Sequence, residues 1–159
     1  MTFTIRFAEK KDVSAILDLI KELAVFEKEP DAVIVTKEDL LEHGFGQHPL
    51  FTCFVAEKND AIVAIALIYL RFSTWKGKTV HLEDLIVKDE FRGEGLGTML
   101  LDEVIKYGYS LGAKRICWEV LDWNEPAIKF YESKGVTLLK DWYLVQMDGE
   151  QIQNYIENL

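Results

Sequence analysis

From Asp12 onward the apolar residues Val13, Ile16, Leu17, Ile20, Leu23 and Ala24 recur every three or four positions, the period of a helix that buries one face. Ahead of them, Phe3 to Phe7 alternates as a strand does. Thr36-Lys37-Glu38-Asp39 has the form of a capping box, with Asp where Glu or Gln is usual, and opens a shorter helix ending at Gly44. Three runs rich in Val, Ile, Leu and aromatics follow at 51–57, 61–72 and 80–87. The short link Lys58-Asn59-Asp60 and the polar, glycine-containing link from Ser73 to Thr79 join them as an antiparallel meander.

Met99, Leu100, Val104, Ile105 and Tyr107 then predict a long helix to about Leu111, stopped by Gly112. Residues 115–120 read as a strand, and Asn124 caps a helix that tolerates Pro126 in its first turn and stops at Gly135. Trp142 to Met147 reads as a last strand, and the tail from Gln151 is too short to place. Strands and helices in this order predict an α/β sandwich around a mixed sheet. No linker or repeat interrupts it, so residues 1–159 are read as one domain.

A composition of 49% hydrophobic and 28% charged residues favours a globular fold over disorder. The longest apolar stretch, Ala61 to Leu70, falls short of the roughly 20 residues of a membrane helix. The N-terminus lacks the pattern of a signal peptide, and Cys53 and Cys117 stand alone, as in a reducing compartment, so a cytoplasmic protein is expected. A net charge of -9 disfavours nucleic acid or an anionic membrane as partner and suits a cationic small molecule.

The chemistry concentrates between the strand ending at Val87 and the helix near Met99, where Arg92-Gly93-Glu94-Gly95-Leu96-Gly97-Thr98 carries three glycines, each one residue apart. Such a cluster either makes a turn or aims backbone N–H groups at an anion, helped by the positive end of the helix. The dinucleotide fingerprint is excluded because Thr98 stands where its last glycine belongs. The nucleotide P-loop is excluded because Phe72 stands where Gly77-Lys78-Thr79 would need its first glycine.

The order of elements, with this loop after the fourth strand, resembles the GCN5-related N-acetyltransferase (GNAT) superfamily, whose signature Arg92-Gly93-Glu94-Gly95-Leu96-Gly97 matches. Finer motifs resemble its diamine (spermidine/spermine) and thialysine N-acetyltransferase branch: Ile20-Lys21-Glu22-Leu23-Ala24, Gly44-Phe45-Gly46 with His48-Pro49, Leu82-Glu83-Asp84, Trp123-Asn124-Glu125-Pro126 and Phe130-Tyr131. The resemblance implies a largely antiparallel mixed sheet, splayed at strands 4 and 5 and flanked by four helices. It implies acetyl-CoA as co-substrate, with Arg92 and the backbone from Gly93 through Glu94, Gly95, Leu96 and Gly97 to Thr98 on the pyrophosphate. Leu85, Ile86 and Val87 would pair with the pantetheine, Asn124 and Pro126 would face the coenzyme, and a homodimer is expected.

Acetyl transfer to an amine needs a base for the ammonium, whose pKa is about 10, and a proton for the departing thiolate. By resemblance Glu83 is the base and Tyr131 the general acid. Two adjacent carboxylates in an apolar strand fall on opposite faces unless a bulge intervenes, and Glu83 and Asp84 can also be plain polar residues at an open sheet edge. Phe26 and Trp75 can wall a slot for an aliphatic amine, Glu27 can pair with a second ammonium, and Asp141 is the candidate for an acidic residue expected before Trp142. Phe26 stands where the polyamine enzymes carry Tyr, which removes one hydroxyl from the amine site. His43, His48 and His81 have no metal spacing, so no metal site is expected. The acceptor is then a polyamine or a lysine-like amino acid; another amine, or a silent acyl-CoA-binding module, are the alternatives.

Overall fold

A computed structural model describes residues 3–159. The chain forms two compact units, one ending at Glu119 and one from Val120 to Leu159.

The first unit runs β1 (Thr4–Phe7), α1 (Val13–Phe26), α2 (Lys37–Phe45), β2 (Thr52–Lys58), β3 (Ala61–Ser73), β4 (Gly77–Val87), α3 (Leu96–Ser110) and β5 (Ile116–Cys117). Its sheet has the order β1-β2-β3-β4-β5. The first four strands pair antiparallel, and β5 pairs parallel to β4 after the α3 crossover.

α1 buries Val13, Ile16, Leu17, Leu19 and Ala24, and with Leu40 of α2 covers Cys53, Val55, Ile65, Leu67 and Ile86 on one face of the sheet. The opposite face meets α3, where the Phe54 and Tyr107 rings lie 5.7 Å apart and Gly108 lets Val80 and Ile116 come close. The capping box at Thr36 forms, with Thr36 Oγ1 accepting from the Asp39 amide and Asp39 accepting from the Thr36 amide.

The second unit holds α4 (Glu125–Glu132) and α5 (Gly149–Glu157). Here the sequence expectation needs correcting. The strand expected over 115–120 shortens to Ile116–Cys117, and Trp142 to Met147 forms no strand. A strand needs a ladder partner, which apolar composition cannot supply, and Trp142, Leu144, Val145 and Met147 lie exposed. The tail instead forms α5, opened by a capping box of Asp148 and Gln151, giving one helix more than expected. Among the described residues no helix is long and apolar enough to cross a membrane.

Candidate functional site

The loop after β4 is shaped by backbone alone. Gly93 and Gly95 both take φ of 81°, the left-handed region that glycine enters without strain. Gly95 is the residue before α3, and no side chain caps that helix. Its first-turn amides have no partner within the helix, and the positive end of the helix dipole stands behind them. A Cβ placed on Gly93 or Gly95 would meet nothing within 4 Å, so open space lies against the loop. Leu96, the first residue of α3, is buried beneath it.

Charged groups fix the loop at both ends. The Arg92 guanidinium donates from Nε to the Val87 carbonyl at 3.1 Å, pairs with Asp89 at 2.8 Å and lies 5.2 Å over the Phe26 ring at the end of α1. It ties strand, loop and helix together as well as offering charge. Glu94 lies 3.7 Å from Lys58, whose ammonium sits 4.7 Å and 4.6 Å from the Phe3 and Phe91 ring centroids.

β4 pairs with β3 along its whole length but with β5 only at Val80 and His81. From Leu82 to Val87 its other edge has no strand beside it among the described residues, and the Val87 carbonyl there is taken by Arg92. The sheet splays where the resemblance implies.

The β3–β4 register shows how the paired carboxylates are presented. Leu67 lies opposite Asp84 and Ile68 opposite Leu82, leaving Glu83 as the extra residue of a β-bulge. Cross-strand partners share a face, so Asp84 goes to the α1 face with Leu67, as does His81 with its partner Tyr69. Glu83 reaches the same surroundings: His81 Nε2 lies 3.6 Å away, and the charge of Glu83 helps, after burial, to push the Tyr69 phenol up to about 12. The bulge turns two neighbouring carboxylates toward one face.

Burial, then the charges of Glu83 and Glu27, push the Asp84 carboxyl up to about 6. Partial burial also raises Glu27, the residue that ends α1. Phe26, Glu27, Glu83, Asp84 and the glycine loop thus belong to one neighbourhood of the first unit. Trp75 does not join it. It sits 83% exposed in the β3–β4 hairpin, roughly 20 Å along the sheet from Asp84 by strand rise, so within one chain it walls no slot with Phe26.

In the second unit Asn124 caps α4, its Oδ1 accepting from the Ala127 amide at 3.4 Å, and Pro126 occupies the first turn. Tyr131 lies two turns further along α4, 8% exposed, and burial pushes its phenol up to about 12. Asp141 is an exposed turn residue. Among the described residues no three His, Cys, Asp or Glu side chains gather as metal ligands.

Sequence reasoning gave no role to Tyr69, Arg71, His81 and Glu119: Tyr69, Arg71 and Glu119 gather around His81, which lies beside Glu83. Each strand carries its pair two residues apart, a face-sharing spacing, but only the register across three strands brings the pairs together.

The model of the acetyltransferase (GNAT) family matches residues 13–136. The chain is 36% identical over 160 residues to thialysine N-epsilon-acetyltransferase of Bos taurus, covering 94% of each. It is also 36% identical over 160 residues to spermidine/spermine N(1)-acetyltransferase-like protein 1 of Homo sapiens, covering 94% of this chain and 23% of that longer one. Among solved structures, an integron cassette protein from the mobile metagenome of V. cholerae superposes with a TM-score of 0.81 at 21% identity, over 99% of both chains.

Proposed function

The chain belongs to the GNAT family of acetyltransferases, on the branch of its thialysine and spermidine/spermine relatives, and is an N-acetyltransferase; from that premise we propose that it moves the acetyl group of acetyl-CoA directly to a primary amine of a small cationic acceptor, a polyamine or a lysine-like amino acid. The observation that carries this reading is the run of β4 from its bulge to the glycine loop. There two carboxylates, an unpaired strand edge and an uncapped helix start follow one another within sixteen residues, from Glu83 to Thr98.

Each part has a task in acetyl transfer. The amides from Gly93 to Thr98 hold the pyrophosphate, and Arg92 fixes the loop that presents them. The open edge at Leu85 to Val87 pairs with the amide groups of the pantetheine arm. Asn124 and Pro126 face the same coenzyme. Glu27, Asp84 and Asp141 draw the cationic acceptor, with Phe26 against its aliphatic part and the net charge of -9 steering it.

Glu83 accepts the proton of the acceptor's ammonium, directly or through water, which frees the nitrogen lone pair to attack the thioester carbonyl. Carbon–nitrogen bond formation is followed by carbon–sulfur cleavage: the electron pair leaves on sulfur, and the second proton that the new amide nitrogen must lose goes to that thiolate, giving free CoA thiol. Tyr131 serves that sulfur. With its phenol up at about 12 the proton stays in place through neutral pH. A thiol has a pKa of about 8.5, so complete transfer from Tyr131 to a free thiolate would run uphill. Its contribution is the hydrogen bond to sulfur as charge builds there. Tyr131→Phe lowers kcat by about tenfold with acetyl-CoA affinity retained, measured by steady-state kinetics and calorimetry.

Asp84 favours a second assignment of the base, since its carboxyl at about 6 lies closer to neutral pH than an ordinary carboxylate. Glu83→Gln and Asp84→Asn separate the two: the variant that loses the acid limb of the kcat/KM profile has lost the base. The acceptor is identified by turnover with thialysine, lysine, spermidine and putrescine. Saturable acetylation of at least one supports the reading, whereas activity confined to protein N-termini or neutral amino acids overturns it. A homodimer belongs to the same reading, supported by the exposed apolar side chains of Trp142, Leu144 and Val145, and light scattering measures it.

A further inference from the structure

Three adjacent strands direct side chains to one face around His81. Tyr69 stands opposite it on β3 and Cys117 beside it on β5. Two residues on along antiparallel β3, Arg71 stands opposite Thr79 on one side of the ring, and two residues on from His81 and Cys117, Glu83 and Glu119 lie on the other. The imidazole is 3% exposed, and its ring centroid lies 5.0 Å from that of Tyr69. Glu83 and Glu119 remain half-exposed, so the buried ring stands beneath two carboxylates that reach solvent.

Both ring nitrogens are engaged, and their partners fix the tautomer. Arg71 Nη1 lies 3.1 Å from Nδ1. A guanidinium only donates, so Nδ1 presents its lone pair and the ring's single proton resides on Nε2. Nε2 lies 3.1 Å from a Glu119 carboxylate oxygen and 3.6 Å from one of Glu83. Arg71 Nη1 also lies 3.8 Å from Cys117 Sγ, which holds the guanidinium on the β5 side.

We propose that His81 is a positioning residue for the base Glu83: its Nε2–H, oriented by Arg71, is the donor that Glu83 and Glu119 share. The inference rests on Glu83 being the group that takes the acceptor's proton. Two carboxylates brought this close repel one another unless a donor lies between them. A neutral imidazole supplies that donor without placing a cation where a cationic acceptor must bind. The ammonium proton passes to Glu83 and leaves from there, while His81 keeps its own proton throughout.

The experiment combines imidazole spectroscopy with a rescue. In nitrogen-15-labelled protein, His81 is expected as the Nε2–H tautomer, with a ring N–H resonance that moves in both Glu83→Gln and Glu119→Gln. His81→Phe keeps a ring against Tyr69 but removes both nitrogens, and is expected to lower kcat at least about tenfold with the acetyl-CoA KM unchanged. His81→Gln restores an N–H and is expected to return kcat to within about threefold of the parent. An Nδ1–H tautomer, a resonance indifferent to Glu83→Gln, or equal losses in His81→Phe and His81→Gln would overturn the proposal. If His81→Phe does not fold, the resonance in the parent and the two Glu variants decides. If the parent acetylates no amine, the acetyl-transfer reading falls by itself, and the same resonance still decides whether His81 is the shared donor.

Discussion

β4 can be divided at Leu82, and its two halves differ in what lies beside them rather than in what they are made of. From Gly77 to Leu82 the strand pairs with β3, and at Val80 and His81 also with β5, with Val80, His81 and Leu82 buried. From Glu83 to Val87 it keeps β3 on one side and has an open edge on the other, and it begins with a bulge that presents two carboxylates. The closed half gains stability from packing. The open half retains unpaired backbone and a carboxyl raised to about 6, which cost stability and supply binding and acid–base capacity.

Substitutions in the two halves should therefore fail in different ways. Glu83→Gln, in the open half, is expected to reduce kcat about a hundredfold, near 2.7 kcal/mol, with the melting temperature nearly unchanged. Steady-state kinetics beside a thermal melt checks both parts. Val80→Ala, in the closed half against Gly108 and Ile116, should do the reverse: a loss of about 2 kcal/mol in denaturant unfolding, with KM and kcat of the folded protein retained. A large kcat loss in Val80→Ala would erase the distinction between the halves.

Gly95→Ala extends the open half into the loop. It forces a side chain into a φ of 81° and into the open space against the loop, and is expected to raise the acetyl-CoA KM about tenfold. The smallest effect belongs to Asp84→Asn. Its folded-state pKa is raised above the ordinary 3.8, so the folded protein holds that proton more tightly than the unfolded chain does. Stability associated with protonated Asp84 is complete below the unfolded value and is lost as pH rises through about 6. Asp84→Asn should raise Tm at pH of about 8 by roughly 2–4 °C, corresponding to about 1 kcal/mol for a half-buried group, and by about half as much at pH of about 5, which lies between the unfolded and folded values. Melting curves at the two pH values measure this directly.

The same division explains what the sequence made legible. Periodicity located the packed faces of α1 and α3, and local chemistry located the Thr36 cap, the glycine loop and the Asn124 cap, because each signal lies within a few residues of the structure it specifies. The bulge at Glu83 and the gathering of Arg71, His81 and Glu119 depend on register between strands distant in sequence. Trp142 to Met147 shows the same limit from the other side: a strand-like run with no ladder partner remains irregular. Asp148 and Gln151 did carry a local signal for α5, a capping box with Asp in place of Ser or Thr.

Acetyl transfer to a small cationic amine is tested most directly by mass spectrometry of a reaction containing the protein, acetyl-CoA and either thialysine or spermidine. One acetyl group on a primary amine, an equal amount of free CoA and no acetyl adduct on the protein are predicted. Acetyl-CoA bound to the protein, with every amine recovered unmodified, would contradict it.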